Sequence, residues 1–268
     1  MTYQADLELA QELADVADAI SLERFRALDL KVESKPDRSP VTDADRSVEQ
    51  ALKAVLAAKA PNDALIGEEY GNSDAKQGSN RTWIIDPIDG TVNYLYGIPQ
   101  FAVSIAVVEG TPDPGTWKQL AGVVFNPMND ELYFASLGGG AFLTKAGKTS
   151  PLAVNQETLL AHTLLATGFA YSSELRAEQA DVLTRILPAV RDIRRAGAAS
   201  LDLCAVAAGQ LDAYYERDTK PWDYAAGSLV LREAGGVVGG LGGAPEGRDM
   251  LLAANPHLFS QIEKLLLG

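Results

Sequence analysis

The feature that most constrains this chain is a short apolar run that ends in two closely spaced aspartates. Residues 83–85 (W-I-I) have the length and the β-branched character of a buried strand. Pro87 cannot donate a hydrogen bond to a sheet, so we expect the strand to end at Asp86. Asp86 and Asp89 then lie three residues apart in a turn that Gly90 closes. Carboxylates held this close repel each other, and such a pair favours a bound cation or a shared proton.

A purely structural explanation exists for each of the two dipeptides, because Asp-Pro and Asp-Gly are both common in turns. Either dipeptide alone is more often a turn than a functional site. Their combination at the end of an apolar strand, with further acids elsewhere in the chain, favours a metal site.

The composition narrows the kind of metal and the kind of partner. The chain has 268 residues, with 23 Lys and Arg against 36 Asp and Glu, and a formal charge of −13. This charge argues against binding to nucleic acid, and it would repel a small anionic substrate unless cations screen it. With two histidines and one cysteine, Cys204, we expect neither a His/Cys zinc site nor an intrachain disulfide. Any metal should be held by oxygen, as Mg²⁺, Mn²⁺ and Ca²⁺ are.

The N-terminal residues, M-T-Y-Q-A-D, lack the basic region and apolar core of a signal peptide. No apolar run in the sequence is long enough to span a membrane. We therefore expect a cytoplasmic protein with no membrane partner.

Hydrophobic periodicity predicts a mixture of helices and strands. The expected helices are residues 3–28, 42–61 with Thr42 or Asp43 as cap, 173–187 with Ser173 as cap, 200–208, 224–234 and 256–267. The expected strands are residues 64–67, 83–85, 101–108, 120–125, 131–136, 141–144, 163–167, 192–195, 211–215 and 250–254. We expect loops at residues 35–41, which contain two prolines, and at residues 71–80, which are polar and should be mobile.

Several further acids lie at the ends of these elements. Glu68 follows the strand at residues 64–67, so parallel or adjacent strands would bring it near Asp86. Asp45 lies in the first turn of a helix, and Asp223 opens another. Each of these acids alone is commonly a helix cap or part of a solvated turn.

Residues 197–200 (G-A-A-S) precede a helix and leave two explanations open. Free N–H groups at a helix N-terminus bind phosphate readily, whereas small residues there also permit close helix packing. Residues 146–150 (A-G-K-T-S) are not a Walker loop, because Phe142 occupies the position where that motif needs its first glycine.

Taken together, four or five oxygen donors suit two or more Mg²⁺ ions that clamp a phosphoryl group. The chemistry that this predicts is hydrolysis of a phosphate monoester by in-line attack of a metal-bound water.

The chain resembles the inositol monophosphatase family of Mg²⁺-dependent, lithium-sensitive phosphatases over nearly its whole length. The segments that carry this resemblance are residues 40–45 (P-V-T-D-A-D), 67–69 (G-E-E), 86–91 (D-P-I-D-G-T), 222–223 (W-D), 225–227 (A-A-G) and 233–236 (E-A-G-G). Each motif is moderately specific alone, and their shared order is a strong signal.

The resemblance implies an α/β (α+β) fold, a layered α/β/α/β/α sandwich of the sugar-phosphatase type, usually a homodimer. It divides the chain into an N-terminal half, residues 1–145, with most metal ligands, and a C-terminal half, residues 146–268, with Asp223 and the substrate contacts. It also implies two or three Mg²⁺ ions, with Mn²⁺ as a possible substitute.

The resemblance also assigns a role to each candidate site residue. Glu68, Asp86 and the carbonyl of Ile88 would hold the first metal, and Asp86, Asp89 and Asp223 the second. Asp45 would contact a third metal, and Asp45, Thr91 and Glu68 would be catalytic, with Asp45 and Thr91 orienting the attacking water. The substrate would be bound by Gly90, Thr91, Gly197, Ala198, Ala199 and Glu216.

The implied substrate is a small phosphorylated molecule. Residues 94–99 and 211–216 are similar to the inositol-phosphatase branch, whereas residues 34–37 (S-K-P-D) are similar to bacterial histidinol-phosphatases. We expect inositol 1-phosphate, with histidinol phosphate as the alternative.

Two alternatives come from other classes of protein. A haloacid-dehalogenase phosphatase needs D-x-D-G-T, but two residues separate Asp86 from Asp89 here. An inactive scaffold protein with the same fold would have no reason to keep acids at all five metal positions.

Overall fold

A computed structural model describes residues 3–76 and 78–268 of the chain. The helices of this described part are α1 (Gln4–Arg24), α2 (Asp43–Lys59), α3 (Thr91–Leu95), α4 (Ser173–Ile186), α5 (Ala199–Ala207), α6 (Pro221–Glu233) and α7 (Phe259–Leu267). Its strands are β1 (Val32–Ser34), β2 (Pro40–Thr42), β3 (Ala64–Gly67), β4 (Gly71–Ser73), β5 (Arg81–Asp89), β6 (Ala102–Glu109), β7 (Lys118–Asn126), β8 (Glu131–Ser136), β9 (Gly140–Lys145), β10 (Lys148–Pro151), β11 (Leu164–Thr167), β12 (Asp192–Arg194), β13 (Ala213–Glu216), β14 (Val237–Gly239) and β15 (Leu251–Ala254).

The strands form two mixed sheets and one hairpin. The large sheet has the order β10-β9-β8-β7-β6-β5-β3-β4, the small sheet the order β12-β11-β13-β15-β14, and β1 pairs with β2. The predicted antiparallel meander is confirmed, since β7, β8 and β9 pair antiparallel in sequence.

Three apolar clusters stack helices and sheets into five layers. Helices α1 and α2 bury Leu13 and Leu52 against one face of the large sheet. Its other face packs on α5 and α6, which also cover one face of the small sheet. Helices α4 and α7 cover the remaining face through Ile186 and Ile262. This order of layers confirms the α/β/α/β/α sandwich.

The strand pairing at the centre of the large sheet positions the acids. Strand β3 lies parallel to β5, with Gly67 opposite Ile85. Glu68, which follows β3, therefore lies near Asp86, the residue of β5 after Ile85, as the sequence predicted.

The prediction that the strand ends at Asp86 is wrong. Strand β5 continues through Pro87 to Asp89, and its pairing with β6 shifts between Asp86 and Asp89. Proline is tolerated there because the irregular register does not require a ladder hydrogen bond from that position.

Two predicted loops contain strands. The two-proline segment at residues 35–41 is the turn and second strand of the β1–β2 hairpin, and Pro40 begins its strand, where a missing N–H costs little. In the polar segment 71–80, β4 pairs with β3 by backbone hydrogen bonds that composition does not reveal. Residue 77 of this segment lies outside the described residues, and the predicted mobility stays a prediction.

Several element ends also differ from prediction. Helix α1 ends at Arg24, because Phe25 adopts extended backbone, and α6 begins at Pro221, two residues before Asp223. Helix α4 is capped by Ser172 rather than Ser173. Strand β10 extends the large sheet beyond residue 145, and the division into two halves there stays a prediction.

Candidate active site

Acidic side chains from several elements line one cleft of about 620 Å³, which we call the acidic cleft. The candidate site residues that line it are Glu68, Asp86, Ile88, Asp89, Gly90, Thr91, Gly197, Ala199, Glu216 and Asp223. Two further candidates, Asp45 and Ala198, are buried beside it and do not line it. The structure thus brings together acids that are up to 155 positions apart in the sequence, from Glu68 to Asp223.

The end of β5 supplies the two central carboxylates. Asp86 is buried, and its Oδ1 accepts a hydrogen bond from the backbone N–H of Ile88 at 3.0 Å. Asp89 accepts from the backbone N–H of Ser200 at 2.7 Å, from its hydroxyl at 2.5 Å and from the N–H of Ala199 at 3.3 Å. The N-terminus of α5 is therefore bonded to a carboxylate of the chain itself, so these two N–H groups do not point free into the cleft.

Glu68 lies in the turn after β3, beside a lysine that the sequence reasoning did not single out. The ammonium group of Lys35, from the β1–β2 hairpin, donates to Glu68 Oε1 at 2.8 Å and to Glu69 Oε1 at 2.5 Å. The two glutamates raise the pKa of Lys35 above its ordinary value, although burial alone would lower it. A positive charge is therefore already placed against the acidic cleft.

A second residue that the sequence reasoning missed, Glu49, holds the turn after β3 in place by hydrogen bonds. Its carboxylate accepts from the backbone N–H groups of Glu69 at 2.7 Å and Tyr70 at 3.0 Å. A Cβ at position 67 would lie 2.1 Å from Glu49 Oε1, so this arrangement requires Gly67. The sequence contains a signal for it, because Glu49 lies on the inward face of α2 next to Val48 and four residues after Asp45.

Asp45 is fully buried at the third position of α2, where it completes a capping box with Thr42. Its Oδ2 accepts from the Thr42 N–H at 2.8 Å and from the Thr42 hydroxyl at 2.5 Å. Its Oδ1 lies 3.2 Å from the hydroxyl of Thr91, which also lies 3.1 Å from the carbonyl of Ile88. Asp45 is thus connected to the acidic cleft through Thr91.

Asp223 comes from the first turn of α6, where its Oδ2 accepts from the backbone N–H of Lys220 at 2.6 Å. Pro221 occupies the first position of the helix, where its missing N–H is not needed. The Ser104 hydroxyl donates to the carbonyl of Trp222 at 3.0 Å and joins the start of α6 to the large sheet. One carboxylate therefore both caps a helix and faces the cleft.

Two glycines allow the loops around the cleft to touch. Gly90 has φ +93°, and a Cβ there would lie 3.1 Å from the carbonyl oxygens of Gln100 and Gly197. Asn93 ties the same loops together, donating to the carbonyls of Gln100 at 2.7 Å and Ala196 at 2.9 Å. The backbone at Gly90 and Gly197 is thereby fixed at the edge of the cleft.

Four buried acids in and beside the cleft, Asp45, Asp86, Asp89 and Asp223, hold their protons more tightly than ordinary acids. Burial, and then repulsion from neighbouring acids, raises the pKa values of Asp86 and Asp223 well above their usual range. Burial raises the pKa of Asp89 to about 6, although its bonds to Ser200 and Ala199 lower it. Burial likewise raises the pKa of Asp45 to about 6 against the opposing bonds from Thr42. Such a group of acids is stabilised by positive charge in the cleft.

The donor set fits a hard divalent cation, because it consists of carboxylate and carbonyl oxygens that repel one another. As placed here, no three His, Cys, Asp or Glu side chains of residues 3–76 and 78–268 stand close enough to enclose an ion. The ammonium group of Lys35 pairs with Glu68 instead. A metal that enters the cleft would have to compete with this lysine for Glu68.

The far end of the cleft is formed by Glu216 at the end of β13. Its Oε2 accepts from the Tyr214 hydroxyl at 2.5 Å, and burial raises its pKa to about 7. A Cβ at position 168 would overlap the Glu216 carboxylate at 1.8 Å, so Glu216 lies directly across Gly168.

Comparison with known proteins gives one consistent result. The model of the "Inositol monophosphatase family" matches residues 3–265. A curated inositol-1-monophosphatase of Mycobacterium leprae is 44% identical over 232 residues, covering 80% of this chain and 77% of that protein. A histidinol-phosphatase of Streptomyces coelicolor is 38% identical over 245 residues, covering 91% and 89%. The crystal structure of the extragenic suppressor protein suhB from Bartonella henselae has a TM-score of 0.88 at 33% identity and covers 98% of both chains.

Proposed function

Because this chain belongs to the inositol monophosphatase family of metal-dependent phosphatases, we propose that it hydrolyses inositol 1-phosphate to inositol and phosphate. The chain is a phosphomonoesterase that acts on small phosphorylated substrates. The observation that carries the chemistry is the group of carboxylates that line the cleft where β3 ends beside β5. The substrate is proposed from relatives named inositol-1-monophosphatase, at up to 44% identity.

The residues proposed to hold two or three Mg²⁺ ions, or Mn²⁺ in their place, are Glu68, Asp86, the carbonyl of Ile88, Asp89, Asp223 and Asp45. Bound ions would neutralise the phosphate and lower the pKa of a water molecule to the range needed for a nucleophile. The raised pKa values of Asp86 and Asp223 support this role, since positive charge relieves their repulsion.

The attacking water is proposed to be oriented by Thr91. When the Thr91 hydroxyl donates its proton to Asp45 Oδ1, 3.2 Å away, its lone pairs remain free to accept from a water in the cleft. Asp45 does not line the cleft, so its effect on the water passes through Thr91. Its contact with a third metal stays a prediction.

The rest of the substrate is proposed to be bound by the walls of the cleft. Backbone at Gly90 and Thr91 would receive the phosphate, and Glu216 and the backbone of residues 197–199 would contact hydroxyl groups. The side chain of Ala198 is buried away from the cleft, so any contact from this position would be made by its backbone.

The test of this function is phosphate release with Mg²⁺ from inositol 1-phosphate, histidinol phosphate, fructose 1,6-bisphosphate and 3′-phosphoadenosine 5′-phosphate, each with and without lithium. We expect the highest kcat/KM for inositol 1-phosphate and inhibition by lithium. Asp89→Asn serves as the control, because loss of this carboxylate should abolish release. No release from any substrate by the metal-loaded wild type would contradict the proposal.

Histidinol phosphate is the second candidate, favoured by the Streptomyces coelicolor relative, whose match covers 91% of this chain. A higher kcat/KM for histidinol phosphate than for inositol 1-phosphate would assign the protein to that reaction instead.

Two properties stay proposals, namely a homodimeric state, by family likeness, and a cytoplasmic location, from the sequence. Within residues 3–76 and 78–268, every helix is too short or too polar to cross a membrane. Sedimentation of the purified protein would test the homodimer directly.

A further inference from the structure

Asp202 is a buried acid in the acidic cleft to which the proposed reaction gives no role. It lies in the first turn of α5, is 4% exposed and lines the cleft on the side of Glu216. No N–H or O–H group of the described residues donates a hydrogen bond to its carboxylate. Its oxygens still reach the space of the cleft, so a hydrogen-bond donor that enters the cleft can replace the water that they would otherwise bind.

The neighbours of Asp202 form a defined end of the cleft. Glu216 lies across Gly168 and is held by the Tyr214 hydroxyl. The guanidinium group of Arg195 lies over Gly197, where a Cβ would be 2.5 Å from Nη1. Arg195 is exposed, lines the same cleft, and forms no ion pair with the part of the chain that the structure describes. Two carboxyl groups and one guanidinium group, from α5, β13 and the loop before α5, therefore line the same cleft, and the charges of Glu216 and Arg195 act on Asp202.

The charges of these three groups indicate what fits between them. A carboxylate accepts hydrogen bonds, whereas a guanidinium group only donates them. A hydroxyl group does both, so a ring with neighbouring hydroxyls can satisfy all three groups. An ammonium group only donates, so it could bond the two carboxyl groups but would leave Arg195 without an acceptor.

Repulsion makes the unpaired state of this carboxyl unfavourable. Burial raises the pKa of Asp202 well above its usual range, and the charges of Glu216 and Asp89 raise it further, while Arg195 lowers it. A hydroxyl donor would replace part of the lost solvation of this group.

We propose that Asp202 determines substrate specificity by accepting a hydrogen bond from a ring hydroxyl on the side of the substrate away from the phosphate. This inference rests on the proposed function, since it concerns how the same cleft distinguishes a polyol phosphate from other phosphate esters. Asp202 contacts a hydroxyl group of the ring and takes no part in breaking the phosphate bond.

The test compares wild type, Asp202→Ala and Asp202→Asn on inositol 1-phosphate and on its monodeoxy analogues, each lacking one ring hydroxyl. Asp202→Ala should raise KM for inositol 1-phosphate by about 10-fold or more with little change in kcat, because binding of substrate and transition state is lost equally. Asp202→Asn keeps the volume and one acceptor oxygen, so its loss should be smaller. Asp181→Ala, an exposed aspartate on α4, is the matched control.

The decisive result is a coupling between the residue and one hydroxyl. For one monodeoxy analogue, wild type and Asp202→Ala should differ in kcat/KM by less than about threefold, because the bond is already absent. If Asp202→Ala loses the same factor in kcat/KM on inositol 1-phosphate and on every analogue, this inference is overturned. The proposed function would still stand. A larger loss on histidinol phosphate than on inositol 1-phosphate would show that an ammonium group is bound, and would also overturn the inference.

Failure of the proposed function gives a different result. If wild type releases no phosphate from inositol 1-phosphate while it hydrolyses other esters, the proposed function and this inference both fail. Unfolding temperatures of the three proteins complete the test. If Asp202→Ala does not fold, the coupling is measured with Asp202→Asn, and absence of coupling there overturns the inference.

Discussion

Glu49 has no exposed surface, and both of its carboxylate oxygens accept hydrogen bonds from the turn that carries Glu68. Neither oxygen faces the acidic cleft, so Glu49 can act on a metal only by fixing where Glu68 stands. Side chains that orient metal ligands in this way often contribute as much to affinity as a ligand does.

We therefore predict that Glu49→Gln weakens Mg²⁺ binding by roughly 10-fold. The amide keeps one acceptor oxygen but turns an NH₂ group toward a backbone N–H, so one of the two bonds is lost. Calorimetric titration of metal-free protein with Mg²⁺ measures this without turnover. Glu23→Gln, at an exposed position of α1, is the control. Equal Mg²⁺ affinities of wild type and Glu49→Gln would disprove the positioning role.

The charge of Asp86 is needed for the proposed activity but destabilises the metal-free protein. Burial and four neighbouring acids make its charge unfavourable in the metal-free protein. Asp86→Asn removes that charge and keeps the side-chain oxygen that Ile88 N–H requires. We predict that kcat falls by at least about 100-fold while the unfolding temperature of the metal-free variant stays equal or rises. Phosphate release and calorimetry measure the two effects, and Asp192→Asn at an exposed position is the control. Near-normal activity of Asp86→Asn would contradict the metal-site model.

At the scale of elements, periodicity located every long helix and most strands, because apolar spacing reports which face is buried. It missed β1, β2, β4, β10 and β14, whose three or four residues each are held by pairing with a neighbouring strand rather than by their own pattern. The irregular end of β5 was also missed, since Pro87 normally ends a strand.

For the candidate site, too, the sequence predicted some residues and missed others. Asp86, Asp89 and Glu68 could be found because they follow apolar strands directly in the sequence. Lys35 and Asp202 could not be assigned to the cleft, because only the three-dimensional packing of the hairpin and of α5 brings them there. Long-range proximity of this kind has no local sequence signature.

The contact between α5 and α6 supplies a prediction at this scale. A Cβ at Gly227 would lie 2.8 Å from the Cβ of Leu203, which is fixed on the facing helix. Alanine in a helix is normally more stable than glycine by about 1 kcal/mol, but overpacking a core costs about 1–3 kcal/mol. We predict that overpacking prevails and that Gly227→Ala lowers the unfolding temperature by roughly 2–8 °C. Gly247→Ala, where a Cβ would meet no atom within 4 Å, is the matched control. An increased unfolding temperature for Gly227→Ala would show that α5 and α6 can move enough to accommodate the added methyl group.

At the scale of the whole molecule, α5 and α6 pack between the two sheets, and the N-termini of both helices lie at the acidic cleft. Asp89 bonds the first turn of α5 and Asp223 caps α6, so acids from both parts of the sandwich are fixed by backbone groups. Charge in the cleft is therefore coupled to the stability of the packed layers.

This coupling predicts a pH dependence of stability that bound metal opposes. The pKa values of Asp45 and Asp89 rise to about 6 in the folded protein, and those of Asp86 and Asp223 rise well above their usual range. The folded state thus binds more protons than the unfolded state between about pH 4 and pH 7, so its stability falls as pH rises through that range. We expect the unfolding temperature of metal-free protein to be roughly 5 °C or more higher at pH 5 than at pH 7.5.

Protons and Mg²⁺ compete for the same oxygens, so saturating Mg²⁺ should stabilise the protein more at pH 7.5 than at pH 5. Calorimetry at both pH values, with EDTA or with excess Mg²⁺, measures the four unfolding temperatures. A metal-free protein that becomes more stable from pH 5 to pH 7.5 would mean that the acids of the cleft are not held in mutual repulsion.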